Sequence, residues 1–102
     1  MDYHWEDGRL MLHRTPEERE RILQRLRRIE GQARGLQQMV EADRHCLEEV
    51  QQMNALTAAA RETALLIIAD HLRACVEFAV AAHDGEAAIQ EMITVLRAAM
   101  RQ

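Results

Sequence analysis

The fold of this chain is decided by residues 46–75, which read CLEEVQQMNALTAAARETALLIIADHLRAC. Neither Gly nor Pro occurs between Gly35 and Gly85, and the segment is rich in Ala, Leu, Gln, Met and Glu, so we expect one unbroken helix. At ~100° per residue, His71 lies ~20° to one side of Cys46 on this helix, and Cys75 lies ~20° to the other. The sequence therefore predicts that these three side chains share one narrow face.

The same helix keeps Cys46 far from His71. At ~1.5 Å per residue the two are separated by roughly 37 Å, whereas the ligands of one metal ion lie within about 2.3 Å of it. Cys46 can therefore join His71 and Cys75 only from a second copy of the helix packed antiparallel. The midpoint falls beside Ala60, where small residues would allow close approach, although alanines also simply favour helix. We expect a homodimer.

Composition indicates one small helical domain. The chain has 102 residues, 48% of them hydrophobic and only three aromatic, and such a chain can bury its apolar helix faces by associating with copies of itself. No apolar run approaches the ~18 residues of a membrane span, and the N-terminus lacks the pattern of a signal peptide, so we expect a cytoplasmic protein without membrane contact. No catalytic triad, paired catalytic carboxylates or Gly-rich phosphate loop is evident, which argues against an enzyme.

The chain is predicted to be all-α, with a flexible tail at residues 1–13 and a single helical domain at residues 14–102. His4 and His13 are expected to be solvated in the tail. Thr15 and Glu18 form a capping-box pattern that starts a helix over about 15–42, and Asp43 can cap a second helix over about 44–82. The third helix is expected over about 86–101.

Basic charge is concentrated in the first predicted helix. Residues 14–34 contain seven arginines and four glutamates, a net charge of +3 in a chain whose net charge is −4. A stripe of arginines follows one side of this helix: Arg14, Arg21, Arg25 and Arg28. A solvated salt-bridge face is one explanation, but the glutamates lie elsewhere on the helical wheel, which favours an anionic partner such as DNA.

His71 and Cys75 are one helical turn apart, the spacing that aims two side chains at one ion. Taken alone, such a pair is more often part of a core, because thiols bury readily. With Cys46 from a partner chain the set becomes two thiolates and one imidazole. These soft ligands suit Cu(I) better than Zn(II), which usually takes a fourth ligand.

Several motifs together resemble the CsoR/RcnR family of metal-responsive repressors. They are RLRRIEGQ at 25–32 with Arg34-Gly35, DRHC at 43–46, Asp70-His71 with Cys75-Val76, and DGE at 84–86 with Ala88-Ile89. The match covers about residues 15–100. The resemblance implies an antiparallel homodimer with a four-helix bundle core, usually assembled as a dimer of dimers.

By this resemblance, Cys46, His71 and Cys75 are the copper-sensing trio. The family's third-helix carboxylate falls on Glu91, which would accept a hydrogen bond from His71. His45 stands where the family often has a tyrosine as an outer-shell partner, which leaves room for nickel. Nickel-sensing relatives carry an N-terminal ligand one position from His13.

The resemblance also implies a DNA contact on the first helix. The family's DNA-contacting arginine falls on Arg25, with Arg27 and Arg28 as neighbours. The basic residue that the family carries midway along the second helix is replaced here by Glu62, with Arg61 adjacent.

The sequence is thus interpreted as a Cu(I)-responsive transcriptional repressor whose metal-free form binds operator DNA and whose metal-loaded form releases it. Three alternatives stay open at this point. They are a sensor of Ni(II) or Zn(II), a repressor of the same fold that responds through a disulfide or persulfide, and a metal-binding helical bundle that does not bind DNA.

Overall fold

The computed structural model describes residues 2–101, as a two-stranded hairpin followed by three helices. Strands β1 and β2 span Asp2–Glu6 and Arg9–His13, and helices α1, α2 and α3 span Pro16–Glu41, Cys46–Ala82 and Gly85–Met100. The three predicted helices are confirmed, each end lying within two residues of the expected bound. Met1 of the predicted tail and Gln102 of the predicted helical domain lie outside the described residues.

Helix α1 begins with the predicted capping box. The Thr15 hydroxyl accepts a hydrogen bond from the Glu18 backbone N–H at 3.1 Å, and the Glu18 carboxylate accepts one from the Thr15 N–H at 3.0 Å. These hydrogen bonds hold the pKa of Glu18 below its ordinary value. Pro16 follows as the first helical residue, where its missing N–H costs nothing.

Helix α2 is continuous over 37 residues, about 55 Å at ~1.5 Å per residue. The prediction that Asp43 caps it is wrong. Asp43 adopts a left-handed backbone with φ 52°, and the N-cap is His45, whose Nδ1 accepts a hydrogen bond from the Leu47 N–H at 3.0 Å. The reason is the turn after α1, which uses Asp43 to reverse the chain and leaves the capping position to a later side chain. The helix ends at Ala82, and its C-cap, His83, is also left-handed.

The prediction of a flexible tail is wrong for residues 2–13, which form an antiparallel hairpin with Glu6 paired to Arg9. The two turn residues, Asp7 and Gly8, have φ 50° and 74°. Positive φ at both central positions matches the twist of the strands, and Asp-Gly is among the residue pairs that favour it. The hairpin signal was present in the sequence as Asp-Gly between two short segments that contain apolar residues.

One face of the hairpin packs against the helices. Tyr3 and Trp5 meet the Phe78 ring edge-on, at centroid distances of 6.1 and 4.9 Å. Leu10 is only 3% exposed and joins Ala74, Cys75 and Ala88 in the buried core. The N-terminal residues therefore cover the junction of α2 and α3.

This core is small, and many large apolar side chains of a single chain stay exposed. Those along the first two helices include Leu26, Val40, Leu47, Val50, Met53, Leu65, Ile67, Val76 and Val80. Within residues 2–101, no helix is both long and apolar enough to cross a membrane. Open apolar faces of this extent are typical of interaction surfaces.

We expect Leu10→Ala to lower the free energy of unfolding by about 2–5 kcal/mol, because it leaves a cavity in the core beneath the hairpin. Chemical denaturation at one fixed protein concentration measures this. The matched control is Met11→Ala, since Met11 is 43% exposed on the opposite face of the same strand. Equal effects of the two substitutions would show that the hairpin does not pack on the helices.

Candidate metal-binding and DNA-binding sites

His71 and Glu91 form a buried pair between α2 and α3. The His71 Nε2 lies 3.0 Å from the Glu91 Oε1, and the two side chains are only 16% and 8% exposed. Because an ionised carboxylate only accepts hydrogen bonds, Nε2 carries the proton, and in the neutral ring the lone pair lies on Nδ1. The pair therefore leaves Nδ1 as the nitrogen able to bind a metal ion, as in other carboxylate-supported histidine ligands.

The hairpin contributes a second donor to the same carboxylate. The Leu10 backbone N–H donates to the Glu91 Oε1 at 3.1 Å, in a buried position. Two donors compensate for the cost of burying this carboxylate. The orientation of Glu91, and through it that of His71, thus depends on the hairpin as well as on α3.

Cys75 lies one helical turn after His71 and is fully buried. Burial, and to a smaller extent the negative charge of Glu91, raises the pKa of its thiol. The protein alone therefore favours the thiol over the thiolate. A metal ion that binds Cys75 must displace its proton, so metal affinity should rise with pH.

Cys46 lies exposed at the opposite end of α2. About 43 Å of helix separates it from Cys75 at ~1.5 Å per residue. It adjoins an apolar hollow between α1 and α2, lined by Leu36, Val40 and Met53 among others. In the described part of one chain, no three His, Cys, Asp or Glu side chains come close enough to hold a metal ion. One chain thus brings His71 and Cys75 together and leaves Cys46 apart.

His45 was a predicted outer-shell partner of the metal. Its Nδ1 is occupied by the capping hydrogen bond to Leu47, which leaves only Nε2 for any other partner. The geometry gives it a structural role at the start of α2, beside Cys46. Its part in a metal site stays a prediction.

The predicted DNA-binding arginines divide into two groups. Arg21, Arg25 and Arg28 line one open surface of α1, and Arg25 and Arg28 also border a hollow with Glu62 of α2. Among residues 2–101, neither Arg25 nor Arg28 takes part in an ion pair within 4 Å. Exposed, unpaired guanidinium groups on one helix face are typical of a phosphate-binding surface.

Two members of the predicted set have acidic partners. The Arg14 Nε lies 3.8 Å from the Asp70 Oδ2, so the expectation that the whole stripe is unpaired is wrong at this position. Arg27 makes a 2.7 Å contact with Glu20. Arg61 is exposed on α2. Arg14 is paired because the fold places the start of α1 beside the buried Asp70.

Comparison with known proteins bears on this arrangement. The sequence model of the family described as "Metal-sensitive transcriptional repressor" matches residues 18–98. The chain belongs to this family. It is 44% identical over 85 residues to the copper-sensing transcriptional repressor CsoR of Bacillus subtilis, covering 83% of this chain and 84% of that protein.

Two solved structures of similar proteins have the same fold. The copper-sensing repressor CsoR with Cu(I) from Geobacillus thermodenitrificans superimposes with a TM-score of 0.78 at 38% identity, over 89% of this chain and 95% of that one. The nickel-responsive transcriptional regulator InrS gives a TM-score of 0.78 at 33% identity, over 79% of this chain and 91% of that one. The family match begins after the hairpin, at residue 18.

Sequence reasoning did not find every contact around His71. The Leu10 amide on Glu91 was missed because a backbone donor has no sequence signature, although the Asp-Gly turn signalled the hairpin that carries it. Asp70 was missed because its partner Arg14 is 56 residues away along the chain. The predicted contact between His71 and Glu91 is present in the structure.

We expect Glu91→Gln to lower the pKa of the Cys75 thiol, because the substitution removes a nearby negative charge while keeping the side-chain shape. The value should stay above that of an ordinary cysteine, since burial is the larger cause of the shift. The ultraviolet absorbance of the thiolate, followed against pH in a Cys46→Ser chain, measures it. Glu86→Gln, at the exposed start of the same helix, is the control. An unchanged pKa would mean that burial acts alone.

Proposed function

We propose that this family member is a Cu(I)-responsive transcriptional repressor whose metal-free form binds operator DNA and whose metal-loaded form releases it. The observation that carries the proposal is that His71 and Cys75 lie one turn apart in a buried stretch of α2, with Cys46 at the other end of the same helix. The similarity to two copper-sensing repressors over most of the chain supports the choice of metal.

In the proposed site, Cys46 of one chain and His71 with Cys75 of its partner hold one Cu(I) ion. Two thiolates and one imidazole fit this soft ion, and bound Cu(I) would supply a bond between the two subunits. The residues of the chain prepare the site: Glu91 orients the His71 ring, and burial keeps water from Cys75. The site requires an antiparallel dimer, and the exposed apolar side chains of α1 and α2 offer the surface for one.

DNA release follows from linkage. If metal binding weakens DNA binding, the subunit arrangement that binds DNA must bind metal less well, with a typical coupling of ~1–3 kcal/mol. Arg25 and Arg28 are the exposed groups proposed to contact the operator in the cytoplasm, with Arg21 beside them. A dimer of dimers would present several such surfaces to one duplex, which increases affinity without new contacts.

A Ni(II)-responsive repressor is the second candidate, favoured by the similarity to the nickel-responsive regulator InrS. Imidazole ligands suit Ni(II), and His45 lies beside Cys46 at the start of α2.

A repressor that responds through thiol oxidation is less favoured, because the raised pKa of Cys75 leaves little thiolate to react. Anaerobic titration with Cu(I) and with Ni(II), with DNA affinity measured in each state, distinguishes a Cu(I)-responsive from a Ni(II)-responsive repressor.

Mixing two defective proteins tests the inter-subunit site. Neither Cys46→Ala nor Cys75→Ala alone should bind Cu(I) tightly, because every site in each homodimer lacks one thiolate. After subunit exchange, the mixed dimer has one site that lacks both cysteines and one that is complete. We expect tight Cu(I) binding, measured by competition with a chelator, to reappear on mixing.

Unmixed Cys46→Ala and Cys75→Ala samples carried through the same exchange protocol are the control. If no tight binding returns after exchange has been demonstrated with labelled chains, the antiparallel-dimer site is wrong.

The DNA surface is tested by Arg25→Ala. We expect a large loss of operator affinity. The Cu(I) affinity should stay near that of the wild type, because Arg25 is on α1 whereas the proposed metal ligands are all on α2. If Arg25 contacts one phosphate, the slope of log affinity against log salt should fall by about 1. Fluorescence anisotropy with labelled promoter DNA measures both quantities.

The matched control is Arg34→Ala, which removes the same charge from the same helix at a position paired with Glu30. Equal losses in the two variants would indicate a general charge effect, and no loss in either would remove α1 from the DNA interface.

A further inference from the structure

The outer face of the hairpin carries a cluster that the copper site does not use. Its side chains alternate with the packed ones and are all exposed: Asp2, His4, Glu6, Arg9, Met11 and His13. Two imidazole rings face each other there, with centroids 4.6 Å apart. The His4 Nδ1 and the His13 Nε2 are in direct contact, so two nitrogen atoms from different strands point at one place.

The carboxylate of Glu6 determines which nitrogen of His4 is available. The His4 Nε2 lies 3.1 Å from the Glu6 Oε2, and a carboxylate accepts but does not donate, so this nitrogen carries the proton. In the neutral ring the lone pair is then on Nδ1, which accepts a hydrogen bond from the His13 Nε2, so a metal ion that binds both nitrogens must displace that proton. A carboxylate behind an imidazole that presents its other nitrogen outward is the usual arrangement of a histidine metal ligand.

We propose that His4 and His13 form a second metal site, specific for borderline divalent ions such as Zn(II), Ni(II) and Cu(II). Two neutral imidazoles suit these ions, and affinity should follow the order in which Cu(II) binds most tightly. No third His, Cys, Asp or Glu joins the pair within residues 2–101, so the remaining coordination positions are open to water. Asp2 is directly across from His13 in the strand register, which places a carboxylate on the same face.

The site has a structural consequence for the hairpin. An ion held by His4 and His13 would link β1 to the last residue of β2, two residues before the cap of α1. Because the unfolded hairpin does not hold the two rings together, binding stabilises the folded hairpin by mass action. The opposite face of β2 carries Leu10, whose amide supports Glu91. The proposal does not rest on the copper function, since it uses none of the three copper ligands.

The test uses the full chain with the copper site disabled by Cys46→Ser and Cys75→Ala. Ni(II) and Zn(II) are titrated in competition with a chromophoric chelator. We expect one ion per chain, and we expect His4→Asn or His13→Asn to abolish this binding. Glu6→Gln should weaken it about 10- to 100-fold, because the carboxylate behind the imidazole is lost. If the double variant loses helicity, Cys46→Ser with Cys75→Ser serves as a second background that still removes both thiols.

The matched control is His83→Asn, which removes one exposed histidine far along the chain and places there a residue that tolerates its left-handed backbone. It should leave binding unchanged. Hydrogen exchange gives a second readout: at free Zn(II) a hundred times its Kd, hairpin amides that exchange through opening should slow by about 100-fold. Absence of binding, equal binding after removal of both hairpin histidines, or an equal loss in His83→Asn would each overturn the proposal.

Discussion

The length of α2 is the constraint on which the rest of the structure depends. An unbroken helix of 37 residues holds Cys46 at one end and His71 with Cys75 near the other. No side chain is long enough to close a gap of about 43 Å, so one chain cannot bring the three side chains together. The same helix leaves apolar residues such as Val50, Leu65 and Val76 exposed. The proposed antiparallel pairing would answer both needs at once, because it covers the apolar face and brings unlike ends together.

Glu91 is where three segments of the chain meet. One of its oxygens accepts a hydrogen bond from the His71 ring on α2 and another from the Leu10 amide on the hairpin, while its backbone belongs to α3. A buried carboxylate is costly unless it accepts hydrogen bonds. The two donors therefore stabilise Glu91 in its buried position, and Glu91 in turn holds both donors in place. The region matched by the family contains His71 and Glu91, but Leu10 precedes it.

The three helices could be predicted from the sequence, whereas the N-terminal hairpin was predicted as a flexible tail, and both outcomes have physical reasons. Helix ends depend on local signals such as the Thr15 and Glu18 capping box, and these can be found without knowing the fold. The cap at His45 could not be found this way, because the left-handed turn at Asp43 decides which side chain reaches the helix. The hairpin is stabilised by Phe78, and short strands are marginal without such packing. Contacts between distant residues, such as Arg14 with Asp70, require the tertiary structure.

The ion pair between Arg14 and Asp70 connects the segment before α1 to the part of α2 that carries His71. Asp70 is 4% exposed and directly precedes His71, and Arg14 lies two residues before helix α1 begins. The Arg14 Nε is buried and makes no hydrogen bond within the described residues, so this ion pair is its compensation. Since α1 is one continuous helix, a displacement of its start also moves Arg25. The contact thus joins the residue that precedes His71 to the segment that leads into the helix carrying Arg25.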